Sequence, residues 1–167
     1  YASGTDGTSV TFNYVVGSSD LDTDGIAISA NTLELNGGSI NDLAGIAVTL
    51  SHSAINASIS YYVDGRLIGN VTSISFSTTP AFRSTVTITV NVSIAGNVQF
   101  KANNVKIANC VKRATSGSSP NITATCAWKP SVRGNTRVTA TITPTNVSYS
   151  AGSLTNSVFV VNRSGSR

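Results

Sequence analysis

Three aspartates at alternate positions before a glycine are the residues of this chain best suited to chemistry. The run consists of Asp20, Asp22 and Asp24, followed by Gly25. It places three carboxylates around one turn, where a hard cation that prefers oxygen ligands could be held, and we therefore predict a calcium site there. The site is not an EF-hand loop, because Asn31 stands at the twelfth position, where that loop carries a bidentate Glu.

Further oxygen ligands would have to complete such a site. Backbone carbonyls could supply them, and so could Asp6 and Asp42 from neighbouring loops. The alternative is an Asp-rich turn whose carboxylates accept hydrogen bonds from nearby backbone N–H groups, without any metal. The sequence leaves both interpretations open.

Cys110 and Cys126 are the only two cysteines, and 15 residues separate them. An even count is compatible with a disulfide in an oxidising compartment, and a pair of free thiols is the alternative. A zinc site is excluded, because His52 is the only histidine and no further cysteine exists. We predict the Cys110–Cys126 disulfide.

Catalytic chemistry is not expected. A nucleophilic Ser, Cys or Thr needs a positioned base, and the only histidine, His52, lies in a stretch that reads as a strand or strand edge. Paired carboxylates for hydrolysis are conceivable only among the clustered aspartates, and no glycine-rich phosphate loop is present. We therefore predict a protein that is not an enzyme and has no cofactor other than calcium.

The charged residues are divided along the chain. All seven acidic residues lie in the first 64 positions, and all eleven basic residues lie from Arg66 to Arg167. This asymmetry predicts an acidic domain over 1–65 and a basic domain over 66–167, whose opposite charges would let copies meet end to end. The basic residues are scattered without a series of aromatic residues, so we expect no nucleic-acid partner. A solvated β-surface, or docking onto an acidic copy or acidic glycan, fits them better.

The composition is typical of an extracellular β-protein. Only 11% of residues are charged, against about 25% in ordinary soluble domains, and Met is absent. No apolar stretch approaches 18 residues, so membrane insertion is not expected. The chain has neither an initiator Met nor the start of a signal peptide, and we interpret it as a mature product or a fragment.

Short strands separated by turns account for the pattern of apolar residues. In the first half, residues 9–16 alternate with period two, and further strands are predicted at 26–29, 32–36, 47–51 and 58–63. In the second half, the prolines fall outside or at the ends of seven predicted strands, at 71–77, 84–94, 97–102, 105–108, 121–128, 136–143 and 156–162. The predicted fold is all-β: an incomplete module, followed by a seven-stranded Ig-like β-sandwich.

The first half resembles the SwmB-type repeats of large bacterial surface proteins. The resemblance rests on the run DxDxDG-I from Asp20, on LNGG-I from Leu35, and on the closing Val63-Asp64-Gly65. It implies an Ig-like or cadherin-like β-module of an exported adhesive or motility protein. Such a repeat normally has several strands before the segment that begins here at Tyr1, so the first sandwich is expected to be incomplete.

The second half resembles a bacterial Ig-like domain of the Big family over residues 71–163. Five features match: the run VQFKANN from Val98, Cys110, the motif TCAWxP that contains Cys126 and Trp128, Gly134, and the run VTAT from Val138. This resemblance implies a spacer, stalk or assembly unit.

An incomplete sandwich leaves strand edges and an apolar face uncovered. A partner subunit could donate the missing strands by donor-strand complementation, with residues 156–167 as one candidate donor; the chain could instead be a fragment, or the module could be minimal. We predict a secreted structural subunit of an extracellular bacterial filament, fibre or surface layer, assembling head to tail into a homopolymer. The alternative is a stalk or adhesin segment that binds glycans and has neighbouring domains in a longer cell-surface protein.

Overall fold

The protein is all-β, as predicted. The computed structural model describes residue 9 and residues 11–162, which contain twelve strands and one short 3-10 turn. The chain divides into two compact units, Tyr1–Gly65 and Arg66–Arg167, and the boundary falls where the charge changes sign. Within the described residues, no helix has the length and apolar character needed to cross a membrane.

The acidic unit contains little regular structure. Strand β1 (Leu21–Asp22) pairs antiparallel with β2 (Val63–Asp64), and a 3-10 turn spans Ile59–Tyr61. Isolated bridges join Ile28 to Ile55 and Asn41 to Ala47. The segment 20–31 therefore runs antiparallel to 52–65, and backbone hydrogen bonds spaced along both segments join them without forming a long ladder.

The Gly-, Ser-, Asn- and Asp-rich clusters at 17–19, 36–38 and 42–45 predict turns, which are confirmed, whereas most predicted strands of the acidic unit are wrong. Turns occur at residues 18–19, 36–37 and 43–45, within or beside the Gly- and Asn-rich clusters. The alternating residues 12–16 form no ladder, 32–36 and 47–51 contain no strand, and 59–61 form the 3-10 turn. Alternation makes a strand only where another strand continues the hydrogen-bond ladder, and the segment 47–51 shares only an isolated bridge, from Ala47 to Asn41.

The basic unit consists mainly of two sheets. One has the strand order β4-β5-β9; the other has the order β12-β10-β6-β7, and β8 also pairs with β6. A short parallel pair, β3 with β11, lies apart from them. The bounds are β3 Leu67–Ile68, β4 Val71–Phe76, β5 Val86–Val92, β6 Gly96–Ala102, β7 Val105–Lys106, β8 Arg113–Ala114, β9 Ile122–Trp128, β10 Gly134–Pro144, β11 Tyr149–Ser150 and β12 Gly152–Val160.

Both sheets contribute to a single apolar core, which is the arrangement of a β-sandwich. In β5 every second side chain is buried, because successive residues of a strand point to opposite faces. The largest fully buried side chains include Ile88 from β5, Phe100 from β6 and Ile142 from β10. Each side chain of this size stabilises the fold by about 1.5–3 kcal/mol through its burial.

The long strands of the basic unit agree with the predictions to within a few residues, and β10 and β12 begin earlier than predicted. The pairs β3–β11 and β6–β8 were not predicted. The proposed donor segment 156–167 needs correction: residues up to Val160 belong to β12, which pairs along its whole length with β10. Residues 163–167 lie outside the described part of the chain.

Candidate functional site

The carboxylate of Asp20 closes a turn in the acidic unit. Its Oδ2 accepts hydrogen bonds from the Gly17 backbone N–H at 2.7 Å and from the Tyr14 hydroxyl at 2.8 Å. The bond from Gly17 is the main reason that the pKa of Asp20 lies below its ordinary value, and the bond from Tyr14 adds to it. The same contact raises the pKa of Tyr14, because ionising the phenol would remove the donor and place two anions together.

Asp22 and Gly25 form the second half of the aspartate run. The Oδ1 of Asp22 accepts a hydrogen bond from the Gly25 N–H at 2.8 Å, which is a capped turn. Gly25 has φ +98°, and an added Cβ would collide with the backbone of Ser58. Only glycine satisfies both conditions. The backbone conformation and the close approach of Ser58 therefore explain why a glycine follows the third aspartate.

The described residues contain no group of three His, Cys, Asp or Glu side chains close enough to hold one metal ion. Asp20 and Asp22 bind local N–H groups, and Asp42 does the same for Ala44 and Ile46 in its own turn. Asp24 is exposed, and Asp6 lies outside the described residues. This geometry suits the capped-turn interpretation; calcium binding at Asp20, Asp22 and Asp24 stays a prediction.

His52 fastens two segments of the acidic unit to each other. Its Nε2 accepts from the Thr32 N–H at 3.0 Å, its Nδ1 lies 3.0 Å from the Ser53 carbonyl oxygen, and its backbone N–H donates to Asn31. A backbone N–H can only donate and a carbonyl can only accept, so these contacts suit a ring that accepts at Nε2 and donates from Nδ1. Both ring nitrogens are therefore engaged in holding backbone.

The acidic unit leaves its apolar side chains uncovered. Among its described residues only Gly25 is buried, and fifteen large apolar residues are exposed, Leu43 fully and Ile59 to 79%. The fifteen are Phe12, Tyr14, Val15, Val16, Leu21, Ile26, Ile28, Leu35, Leu43, Ile46, Val48, Ile55, Ile59, Tyr61 and Tyr62. So many exposed large apolar side chains in one unit are typical of a protein that packs against a partner.

The predicted disulfide between Cys110 and Cys126 is confirmed. Cys110 lies in the connection from β7 to β8, and Cys126 lies in β9, so the bond joins the two sheets. Both sulfur-bearing residues are buried. Trp128, on the same face of β9, packs against Phe76 with a centroid distance of 6.3 Å.

Two arginines of the basic unit converge on one aromatic ring. The guanidinium carbon of Arg133 lies 4.2 Å from the centroid of Phe82, and that of Arg83 lies 5.1 Å from the same centroid. Both distances are within the range of cation–π attraction. The basic unit contains no Asp or Glu, so it offers no acidic side chain of its own to neutralise either arginine.

A cleft of about 460 Å³ opens beside this pair, along the connection from β9 to β10. Lys106 and Lys129 contribute cations to its lining, Asn103 and Asn109 contribute amides, and Trp128 contributes an aromatic wall. The cleft therefore combines apolar walls with positive charge, and it is of a size that accepts a small ligand.

The arginine pair and the cleft lie at one end of the sandwich, and the chain enters the sandwich at the other. Val86 of β5 faces Trp128 of β9 near the arginines, whereas Val92 faces Ile122 at the far end of the same strands. The entering strand β3 connects to that far end through the Ser93 N–H, which donates to the Asn70 carbonyl. Six strand residues separate the ends by roughly 20 Å.

Sequence reasoning did not find the arginine pair or the cleft. Arg133 lies 50 positions after Arg83, and only the return of β10 beside the β4–β5 connection brings them to Phe82. The available signal was the absence of any acidic residue after Asp64, which indicated a cationic surface without locating it.

Comparison with known proteins finds no family model, no curated protein and no solved structure that matches this chain. The resemblances to SwmB-type repeats and to Big-family domains therefore stay predictions that depend on the motifs alone.

Proposed function

We propose that this chain is a secreted structural subunit of an extracellular bacterial filament, fibre or surface layer, in which copies assemble head to tail. One observation carries the proposal: the acidic unit buries none of its described apolar side chains and exposes fifteen large ones. Burial of apolar surface is the dominant stabilising contribution in folding and association. A unit that lacks it internally gains it by packing against a partner.

Strand complementation is the form of contact that suits the acidic unit best. Its passes are joined by a two-residue strand pair and by isolated bridges, so few of its backbone groups take part in ladders. An added strand from a neighbouring copy would satisfy those groups and cover apolar side chains in one step. Covering 400 Å² of apolar surface would contribute on the order of 10 kcal/mol.

The charges supply the direction of assembly. The acidic unit carries all seven carboxylate side chains, and the arginine pair and cleft lie at the end of the basic unit opposite to its entry point. A contact between the acidic unit of one copy and this basic end of the next uses different surfaces on the two partners. Such a heterologous contact extends into a filament unless it closes into a ring.

The basic unit would then serve as the spacer, and we propose that it is an immunoglobulin-like domain. Its sheet orders β4-β5-β9 and β12-β10-β6 correspond to strands A-B-E and G-F-C of that fold. Its disulfide links the β7–β8 connection to β9. In antibody domains the disulfide joins strands B and F, which correspond to β5 and β10 here. Membership of the Big family and of the SwmB-type repeats is part of this proposal.

Sedimentation velocity of the purified chain over a range of concentrations tests the proposal. We expect self-association that weakens when Leu43 and Ile59 are both replaced by Ser, because these side chains are exposed in the acidic unit. The matched control replaces Val111 and Val147, which are exposed in the basic unit outside the cleft lining, by Ser. A chain that stays monomeric at high concentration and low salt would refute assembly.

The cleft favours a second candidate, an adhesin or stalk segment that binds acidic glycans. Lys106 and Lys129 offer charge to a uronic acid, and the amides of Asn103 and Asn109 offer hydrogen bonds to sugar hydroxyls. Titration with oligogalacturonate distinguishes this function from assembly. Glycan binding requires a monomeric chain whose affinity for the oligosaccharide falls when Lys106 and Lys129 are both replaced by Gln.

A further inference from the structure

Phe82 holds two guanidinium groups in a defined arrangement. The ring is partly buried against the core, and its backbone N–H donates to the Val161 carbonyl at 2.9 Å. Arg83 has φ +58°, and its N–H donates to the Pro130 carbonyl at 2.9 Å. The ring and the backbone that carries Arg83 are thus fixed, and Arg133 approaches from the start of the next strand.

The two positive charges are close together, and the basic unit has no acidic side chain to pair with them. Both guanidinium carbons are measured to the same centroid, so their separation cannot exceed the sum of 4.2 Å and 5.1 Å. Like charges at such distances repel, and no side chain from 66 to 167 carries a carboxylate that could relieve the repulsion. A bound anion would relieve it and would find donors that are already positioned.

We propose that Arg83 and Arg133 form a carboxylate clamp for the aspartate run of a second copy. The inference rests on the proposed head-to-tail assembly and names the contact that sets its orientation. Asp22 and Asp24 are two positions apart, so this run presents two negative charges to the two positive ones. Asp24 is exposed and Asp22 is half-buried in the same turn.

Arginine suits this role because its planar fork binds a carboxylate through two parallel hydrogen bonds and also stacks on an aromatic ring. Replacing both arginines by Lys keeps the charge but removes the fork and the stacking. The clamp therefore predicts that the lysine pair cannot substitute fully for the arginine pair. If the attraction between the two halves of the chain were only diffuse, the lysine pair and the arginine pair would support self-association equally well.

The test compares the self-association of three double variants with that of the unmodified chain at low ionic strength. R83Q/R133Q should weaken association by about tenfold, and R83K/R133K should weaken it measurably. K112Q/R137Q removes the same charge from two exposed residues outside the cleft lining and should change it by less than about threefold. Melting curves of each variant establish that the sandwich is intact.

Two results separate the failure of the clamp from the failure of assembly. If the unmodified chain associates and R83Q/R133Q associates equally well, or no worse than K112Q/R137Q, the clamp is refuted and assembly stands. If the unmodified chain is monomeric, assembly is refuted together with the second copy as occupant. In that case, binding of polyaspartate that depends on both arginines would still support a carboxylate site at Arg83 and Arg133. If polyaspartate does not bind, the carboxylate site is refuted as well.

Discussion

Removal of the Cys110–Cys126 disulfide should destabilise the basic unit strongly. The bond joins the segment between β7 and β8, at the edge of the larger sheet, to β9 of the smaller sheet. Exposures of 3% and 1% place both cysteines in the core. The appropriate perturbation is C110A/C126A, because alanine leaves no unsatisfied hydroxyl at either buried position.

The size of the effect follows from the closed loop. The cysteines are 16 positions apart in the sequence, and in the chain-entropy description a loop of about 15 residues lowers the entropy of the unfolded chain enough to contribute about 3 kcal/mol. For a domain of about 100 residues, each kcal/mol corresponds to about 4–8 °C in Tm. We therefore expect the Tm of C110A/C126A to fall by about 12–24 °C.

Urea denaturation followed by tryptophan fluorescence measures this loss. Trp128 is the only tryptophan and is 6% exposed, so its emission reports the unfolding of the sandwich. A reductant should reproduce the loss in the unmodified chain and leave C110A/C126A unchanged, which controls for the substitutions themselves. A loss below about 1 kcal/mol at an unchanged m-value would refute the loop-closure reasoning.

Three further predictions concern the acidic unit. Gly25→Ala should destabilise the unit by more than about 2 kcal/mol, because the added Cβ clashes with the backbone of Ser58. The control Gly45→Ala, at φ +80° with open space around it, should cost about 1 kcal/mol. Hydrogen exchange of the unit measures both losses, and equal losses would contradict the clash. The pKa of Asp20 is lowered, so the stability from its hydrogen bonds is complete above its ordinary pKa of 3.8 and is lost as the pH falls through its lower folded pKa. Proteolysis of the Tyr14–Asp20 loop should therefore rise in that pH range for the unmodified chain. A D20N variant should show no such rise. If the aspartate run binds calcium, saturating calcium at about 100 times Kd should add about 2.7 kcal/mol of stability, and a melting curve that chelation leaves unchanged would remove calcium from the description.

The basic unit could be predicted from its sequence because its strands are paired on both sides of one core. Val86, Ile88, Val90 and Val92 alternate in the sequence and alternate in burial, since the pleat and the core act on every second residue. Asn103 and Asn104 adopt positive φ in the two-residue turn between β6 and β7, as their residue type favours. The acidic unit shows the opposite: its alternating segment at 12–16 has no ladder to join.

The site could be predicted less well than the fold. The aspartate run, the lone histidine and the cysteines are visible as residue types, but their hydrogen-bond partners are not. His52 and Thr32 are 20 positions apart, and their bond depends on how two irregular segments meet. The convergence of Arg83 and Arg133 on Phe82 depends likewise on the path of the chain between β9 and β10.

The sequence by itself determined the all-β class, the position of the charge boundary and the disulfide pair, because composition, charge order and a single possible cysteine pairing are local or countable properties. Only the tertiary structure decided which alternating segments become strands and which apolar residues are covered. Hydrogen-bond ladders and burial depend on residues distant in the sequence. For the same reason, only the folded chain brought two arginines to one ring and left the acidic unit's apolar side chains exposed.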